Sequence, residues 1–95
     1  MNEGEGDPIL PVQIDHAIEE IWNDGRLEQY YNFLDYHFEC DGAYCRARSY
    51  ADDFREVVLF GPFERRTSIK KVSRPDFEGD VYCYLERRFL KVTRA

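Results

Sequence analysis

Asp41-Gly42, at the centre of an alternating stretch over residues 34–49, most limits what this chain can fold into. Asp-Gly favours a two-residue hairpin turn because both positions tolerate positive φ. Such a turn sets Cys40 opposite Ala43, Phe38 opposite Cys45, Tyr36 opposite Ala47 and Leu34 opposite Ser49. The other face then pairs Glu39 with Tyr44, His37 with Arg46, Asp35 with Arg48 and Phe33 with Tyr50. One face is nearly all apolar, and the other carries an opposite-charge cross-strand pair. A slip of one residue would set Phe38 against Arg46 and Glu39 against Cys45. That would destroy the segregation, so the spacing specifies the register.

A third strand is predicted over residues 55–60, after the Asp52-Asp53 turn, and Gly61-Pro62 ends it. Its run of Val57, Val58, Leu59 and Phe60 is apolar on both parities. Parity therefore does not say which side meets the core, and the far side of the sheet is expected to be partly covered as well.

Helices are expected on either side of these strands. Ile14, Ala17, Ile18, Ile21 and Trp22 follow i, i+3, i+4, i+7, i+8, which predicts a helix over residues 11–23. Pro11 suits its first turn, and Asp24-Gly25 reads as its stop. At the other end Tyr82, Leu85, Phe89 and Val92 keep a helical spacing, with Val81 on the flank. This second helix starts either at Ser73, with Asp76 completing a capping box, or at Asp80. Residues 64–72 form a basic connector.

The expected fold class is thus α+β in the order α-β-β-β-α, a three-stranded antiparallel meander with two helices packed on one face. Residues 1–10 read as a flexible acidic tail and 11–95 as a single domain, which suits a chain of 95 residues. Double-stranded-RNA-binding domains share this order of elements. The likeness ends there, because the expected first helix and the first hairpin turn are acidic.

Charge and cysteine content narrow the class. Three cysteines, Cys40, Cys45 and Cys83, are an odd and sparse set that fits a reducing compartment, so a cytoplasmic protein is expected. No apolar run approaches the ~20 residues of a membrane span, and the acidic start is unlike a signal peptide. The first 53 residues hold 13 acidic and 3 basic side chains; the remaining 42 hold 6 and 10. An acidic element lying beside a basic one accounts for this, as does a basic half that meets an acidic partner.

Neither a metal nor a catalytic site is expected, and no cofactor. The hairpin register sends Cys40 and Cys45 to the core face and His37 to the opposite one, and Cys83 falls on the outer side of its helix, so no tetrahedral set converges. Cys40 and Cys45 are diagonal neighbours, too far apart for a disulfide. There is no phosphate-cradling glycine loop, nucleophile elbow or HExxH. His16 is read as a solvated helix-face residue near Glu20, and His37 as a surface strand residue.

Two surfaces remain. The outward sheet face gathers Phe33, His37, Tyr44, Arg46, Arg48 and Tyr50, residue types enriched at interfaces. It suggests a non-enzymatic interaction module or small adaptor that self-associates as a homodimer. The bland counterpart is that arginine stems cover the aromatics and Asp35–Arg48 closes the face. The second surface joins Tyr84, Arg87, Lys91 and Arg94, taken as an outer helix stripe, to Arg65, Arg66, Lys70, Lys71 and Arg74. It suggests the alternative, a nucleic-acid-binding domain. A charged outer face and cations near a helix C-terminus explain it equally simply.

Overall fold

In the computed structural model, which describes residues 6–95, the chain forms a five-stranded mixed sheet with a single α-helix. The strands are β1 (Gln13–Asn23), β2 (Arg26–Cys40), β3 (Ala43–Tyr50), β4 (Glu56–Phe63) and β5 (Lys91–Arg94); helix α1 is Pro75–Glu86. They lie side by side in chain order, antiparallel throughout except for the parallel β4–β5 pair. The expected meander of three strands with two helices is therefore corrected at both ends of the chain.

The central hairpin follows the expected register at all eight pairs, from Cys40–Ala43 to Phe33–Tyr50. Gly42 supplies the positive φ of its turn, at 77°. The segment expected to be the first helix is instead β1. Asp24-Gly25 is not a helix stop but a second hairpin turn, with both residues at positive φ (52° and 76°). That is the geometry Asp-Gly serves best. Ile14, Ile18 and Trp22 lie on one parity and Ala17 and Ile21 on the other, so the same residues also satisfy a strand with two apolar sides. Three isoleucines and a tryptophan fit a pleated surface, and the partner supplied by Leu27, Tyr30, Tyr31 and Phe33 decides the outcome.

At the other end, α1 stops at Glu86, and Arg88 and Phe89 both close back onto the Leu85 carbonyl. Lys91–Arg94 then returns to the sheet as β5 beside β4, with Val92 paired to Val57. The helical spacing that reached Phe89 and Val92 ran across this boundary. Within α1 the buried face is Phe77, Val81, Tyr84 and Leu85, so Val81 is central rather than flanking.

The core lies between α1 and one sheet face. Phe38, Cys45, Ala47, Val57, Leu59, Val81 and Leu85 are all 0–1% exposed there. Val57 and Leu59 are thus the inward residues of β4, while Val58 and Phe60 share the outer face with Arg48 and Arg46. Gly61, at φ 104°, sits where β4 bulges; a Cβ there would stand 2.9 Å from the Tyr44 carbonyl oxygen. This bend brings Phe63 opposite Tyr44. Of the expected tail, residues 1–5 lie outside the described residues. The rest is anchored: Ile9 packs on the core, and Asp7 holds Arg88 at 2.9 Å and Arg87 at 3.3 Å.

Candidate interaction surface

β2 runs 15 residues and β3 only 8. Past Phe33, β2 pairs with β1 on one side and, among the described residues, with no strand on the other, so the distal β1–β2 hairpin projects as a two-stranded arm. The molecule consequently measures 53 Å along its longest axis but 20 Å along its shortest. A two-stranded ribbon has no core of its own. Its side chains stay in water unless something covers them.

The arm is amphiphilic on the face it shares with α1. Ile14, Ile18 and Trp22 of β1 stand beside Leu34, Tyr30 and Leu27 of β2, and all six are between 36% and 58% exposed. Between them lie His16, whose Nε2 is 2.5 Å from the Asn32 Oδ1, and Glu20, which accepts from the Trp22 indole at 3.3 Å. His16 is therefore a strand residue of the arm, not a helix-face residue. The pattern of six large apolar side chains on one exposed strip exceeds the scattered exposure of an ordinary surface.

The outward sheet face is differently built from what the residue types suggested. Phe33, His37, Arg46, Arg48, Tyr44 and Tyr50 do share that face, but Phe33, His37 and Tyr44 are only 3–8% exposed. Arg48 lies over the Phe33 ring at 3.9 Å and grips Asp35 through two nitrogens, at 2.8 and 2.9 Å. That carboxylate holds the Arg48 guanidinium even more firmly protonated than usual. Arg46 lies over Phe60 at 4.6 Å, and Arg66 reaches from the connector over Tyr44 while bonding Glu39 and Gln13. Tyr50 remains more than a third exposed.

His37 is the residue the one-dimensional reading placed least well. Because β1 is a strand, it brings Asp15 beside His37, whose Nε2 lies 3.0 Å from Asp15 Oδ2, while its Nδ1 lies 2.6 Å from the Tyr44 hydroxyl. A carboxylate only accepts, so Nε2–H donates to Asp15, and on a neutral ring Nδ1 accepts from Tyr44. Burial pushes the Tyr44 phenol above its ordinary range. The hydroxyl is buried and hard to ionise, so this Asp–His–Tyr chain ties β1, β2 and β3 together and presents no accessible nucleophile.

The candidate basic patch is not brought together. Tyr84 is buried in the core against Tyr36 and Phe38. Lys91 and Arg94 sit on β5 rather than on a helix stripe. Arg65 and Lys70 share Glu64, Arg87 joins Asp7, and Arg94 pairs with Glu78. Arg74 caps the Asp41 carbonyl and approaches Cys40 Sγ at 3.3 Å, and Lys71 lies on a bridge to Phe63. Most of these cations already have a carboxylate or carbonyl of their own chain, which weakens the field a polyanion would meet.

Among the described residues no cluster of three metal-ligating side chains occurs, and no helix is long and apolar enough to cross a membrane. Cys45 is fully buried on the helix side, with its thiol pushed by burial up to about 12. Comparison with protein-family models, with curated proteins and with solved structures finds no match to this chain.

Proposed function

We propose that this chain is a non-enzymatic interaction module that self-associates through the free edge of β1, its arm pairing antiparallel with the arm of a second copy. The observation that carries the reading is the self-complementarity of β1 about Ile18. A two-fold axis there sets Ile18 against Ile18 once, on the axis, and Ile14 against Trp22 and His16 against Glu20 twice each, all on the apolar face. On the other face Gln13 meets Asn23, Asp15 meets Ile21 and Ala17 meets Glu19. No like charges stand directly opposite, and on the face shared with α1 every apolar residue meets another apolar residue. Shifting the axis by one position to Ala17 would set Glu19 against Asp15 twice and Ile14 against Glu20.

Among the described residues no strand pairs with that edge. β1 is the outermost strand, 11 residues long, with neither proline nor lysine along it to discourage pairing. The free thiols Cys40, Cys45 and Cys83 fit a module working in a reducing compartment such as the cytoplasm. Molar mass by light scattering tests the reading: the native chain should be a dimer. Ile18→Lys, which sets two lysines on the axis at a half-exposed position, should be a folded monomer. A native monomer at high micromolar concentration would remove it.

A further inference from the structure

The opposite edge of the arm offers a second, independent site. In an antiparallel ladder alternate residues of a strand turn their N–H and C=O to the same side. The Asp41-Gly42 turn makes Cys40–Ala43 the closing pair, so the even-numbered residues of β2 bond toward β3. The His37 carbonyl, which accepts from Val12 on the β1 side, confirms the parity for the odd ones. β3 ends opposite Phe33, and the chain turns away through the 3-10 turn Ala51–Asp53. Beyond Leu34, the backbone groups of Asn32 and Tyr30 are therefore aimed at a place where the next strand is missing.

That place is a notch of about 710 Å³ between β2 and the segment from Tyr50 to Val58. Tyr31, Tyr50 and Val58 give it apolar walls, and Asp52, Asp53 and Glu56 stand along its rim. Among the described residues the one cation lining it, Arg48, is already neutralised by its two bonds to Asp35. Arg55 reaches Asp53 only loosely, at 3.4 Å from a largely exposed guanidinium. The notch combines unpaired strand hydrogen-bonding groups, aromatic walls and surplus carboxylates.

We infer that this notch takes an extended, lysine- or arginine-bearing peptide segment of a protein partner, which adds to β2 as the strand that β3 no longer supplies. Main-chain bonds to Tyr30 and Asn32 hold the segment, and alternate side chains point to the tyrosine walls or the acidic rim. Cationic side chains fit twice over, since they meet carboxylates and lie well on tyrosine faces. This site uses the edge of β2 and does not depend on the pairing of β1.

The probe is a fluorescent pentapeptide, Lys-Val-Lys-Val-Lys, followed by anisotropy in low salt against the full chain. Saturable binding is expected, with at least tenfold weaker binding of the Glu-Val-Glu-Val-Glu peptide and of a lysine peptide N-methylated at alternate amides. Asp52→Asn with Asp53→Asn, two residues in a surface turn, should weaken the lysine peptide about fivefold, each exposed charge contributing modestly. The Tyr30 and Asn32 amides should exchange slowly with solvent only when peptide is bound. Ile18→Lys should bind the peptide unchanged, which separates this site from the proposed dimer contact. Absence of saturable binding, or equal binding of the N-methylated or glutamate peptide, overturns the inference. So does protection of both amides in the peptide-free chain, which would mean that a second copy fills the notch.

Discussion

Phe33 is the last residue of β2 with a partner on β3, and its ring meets that partner, Tyr50, edge-on at a centroid separation of 5.8 Å. Everything distinctive about the molecule begins at this pair. On one side of it lies a sheet with a covered core; on the other, a ribbon that no third strand joins among the described residues. The proposed dimer contact uses one of those edges and the proposed peptide notch the other.

The arm should be separable from the fold. Replacing both Trp22 and Leu27 by Ser removes two half-exposed apolar groups near its tip and leaves every core residue in place. The far-ultraviolet circular dichroism and the melting temperature of the monomer should be unchanged, while the dimer dissociation constant rises at least tenfold. A loss of fold on this substitution would mean that the arm belongs to the core.

Tyr44→Phe should destabilise the chain by about 1–3 kcal/mol, because the buried Nδ1 of His37 then loses its partner. Urea denaturation measures the loss. His37→Phe, which removes the polar ring as well, should cost no more once combined with Tyr44→Phe. Full additivity of the two changes would show that the bond is not coupled.

Asp35 and Arg48 should show a coupling energy of about 1–3 kcal/mol in a double-mutant cycle with Asn and Met. The bond is bidentate and both side chains are at most a quarter exposed, so solvent screens it less than a surface pair. Single removal of Asp35 should be the worst member of the cycle, since it leaves the guanidinium over Phe33 without its counter-charge.

Thiol reactivity should divide the cysteines. At pH 8 a maleimide should modify Cys40 and Cys83 in the native chain and spare Cys45, which is buried and whose thiol that burial pushes up to about 12. Mass spectrometry of the labelled peptides reads the result. Modification of all three at equal rates would contradict the packing of Cys45 beneath α1.

Acid should release the segment around Asp7 before it unfolds the domain. Hydrogen bonds from Arg88, and then Arg87, lower the Asp7 carboxyl below its ordinary value, so the contact is fully present above the usual aspartate range near pH 4. It is lost as pH falls through the depressed native value. Chemical shifts of residues 7–9 should move in that window together with those of Arg87 and Arg88, and Asp7→Asn should abolish the transition.

How legible this was varies with the kind of signal. The central hairpin could be read residue by residue, because a two-residue turn, a period-two apolar face and a charge pair all demand one register. β1 could not, because Ile14, Ala17, Ile18, Ile21 and Trp22 satisfy both a helical face and a two-sided strand. Only the mate offered by residues 26–33 separates the two. Asp24-Gly25 carried the same turn chemistry as Asp41-Gly42, and reading both alike would have exposed the second hairpin. The end of α1 was hidden in a similar way, since Phe89 and Val92 continue its period by coincidence while belonging to a loop and a strand.

The candidate surfaces divide along the same line. Sequence alone determined that Phe33, His37, Tyr44, Arg46, Arg48 and Tyr50 share one face and that Asp35 meets Arg48, since alternation and turn length are local properties of the chain. Tertiary structure decided which of them water can reach. Burial depends on what crosses above a face, here the arginines of β3, the Arg66 of the connector and the Asp15 of a strand that had to find its partner. The same holds for the arm, because an unpaired edge is not a property of β2 or of β3 but of the difference between their lengths.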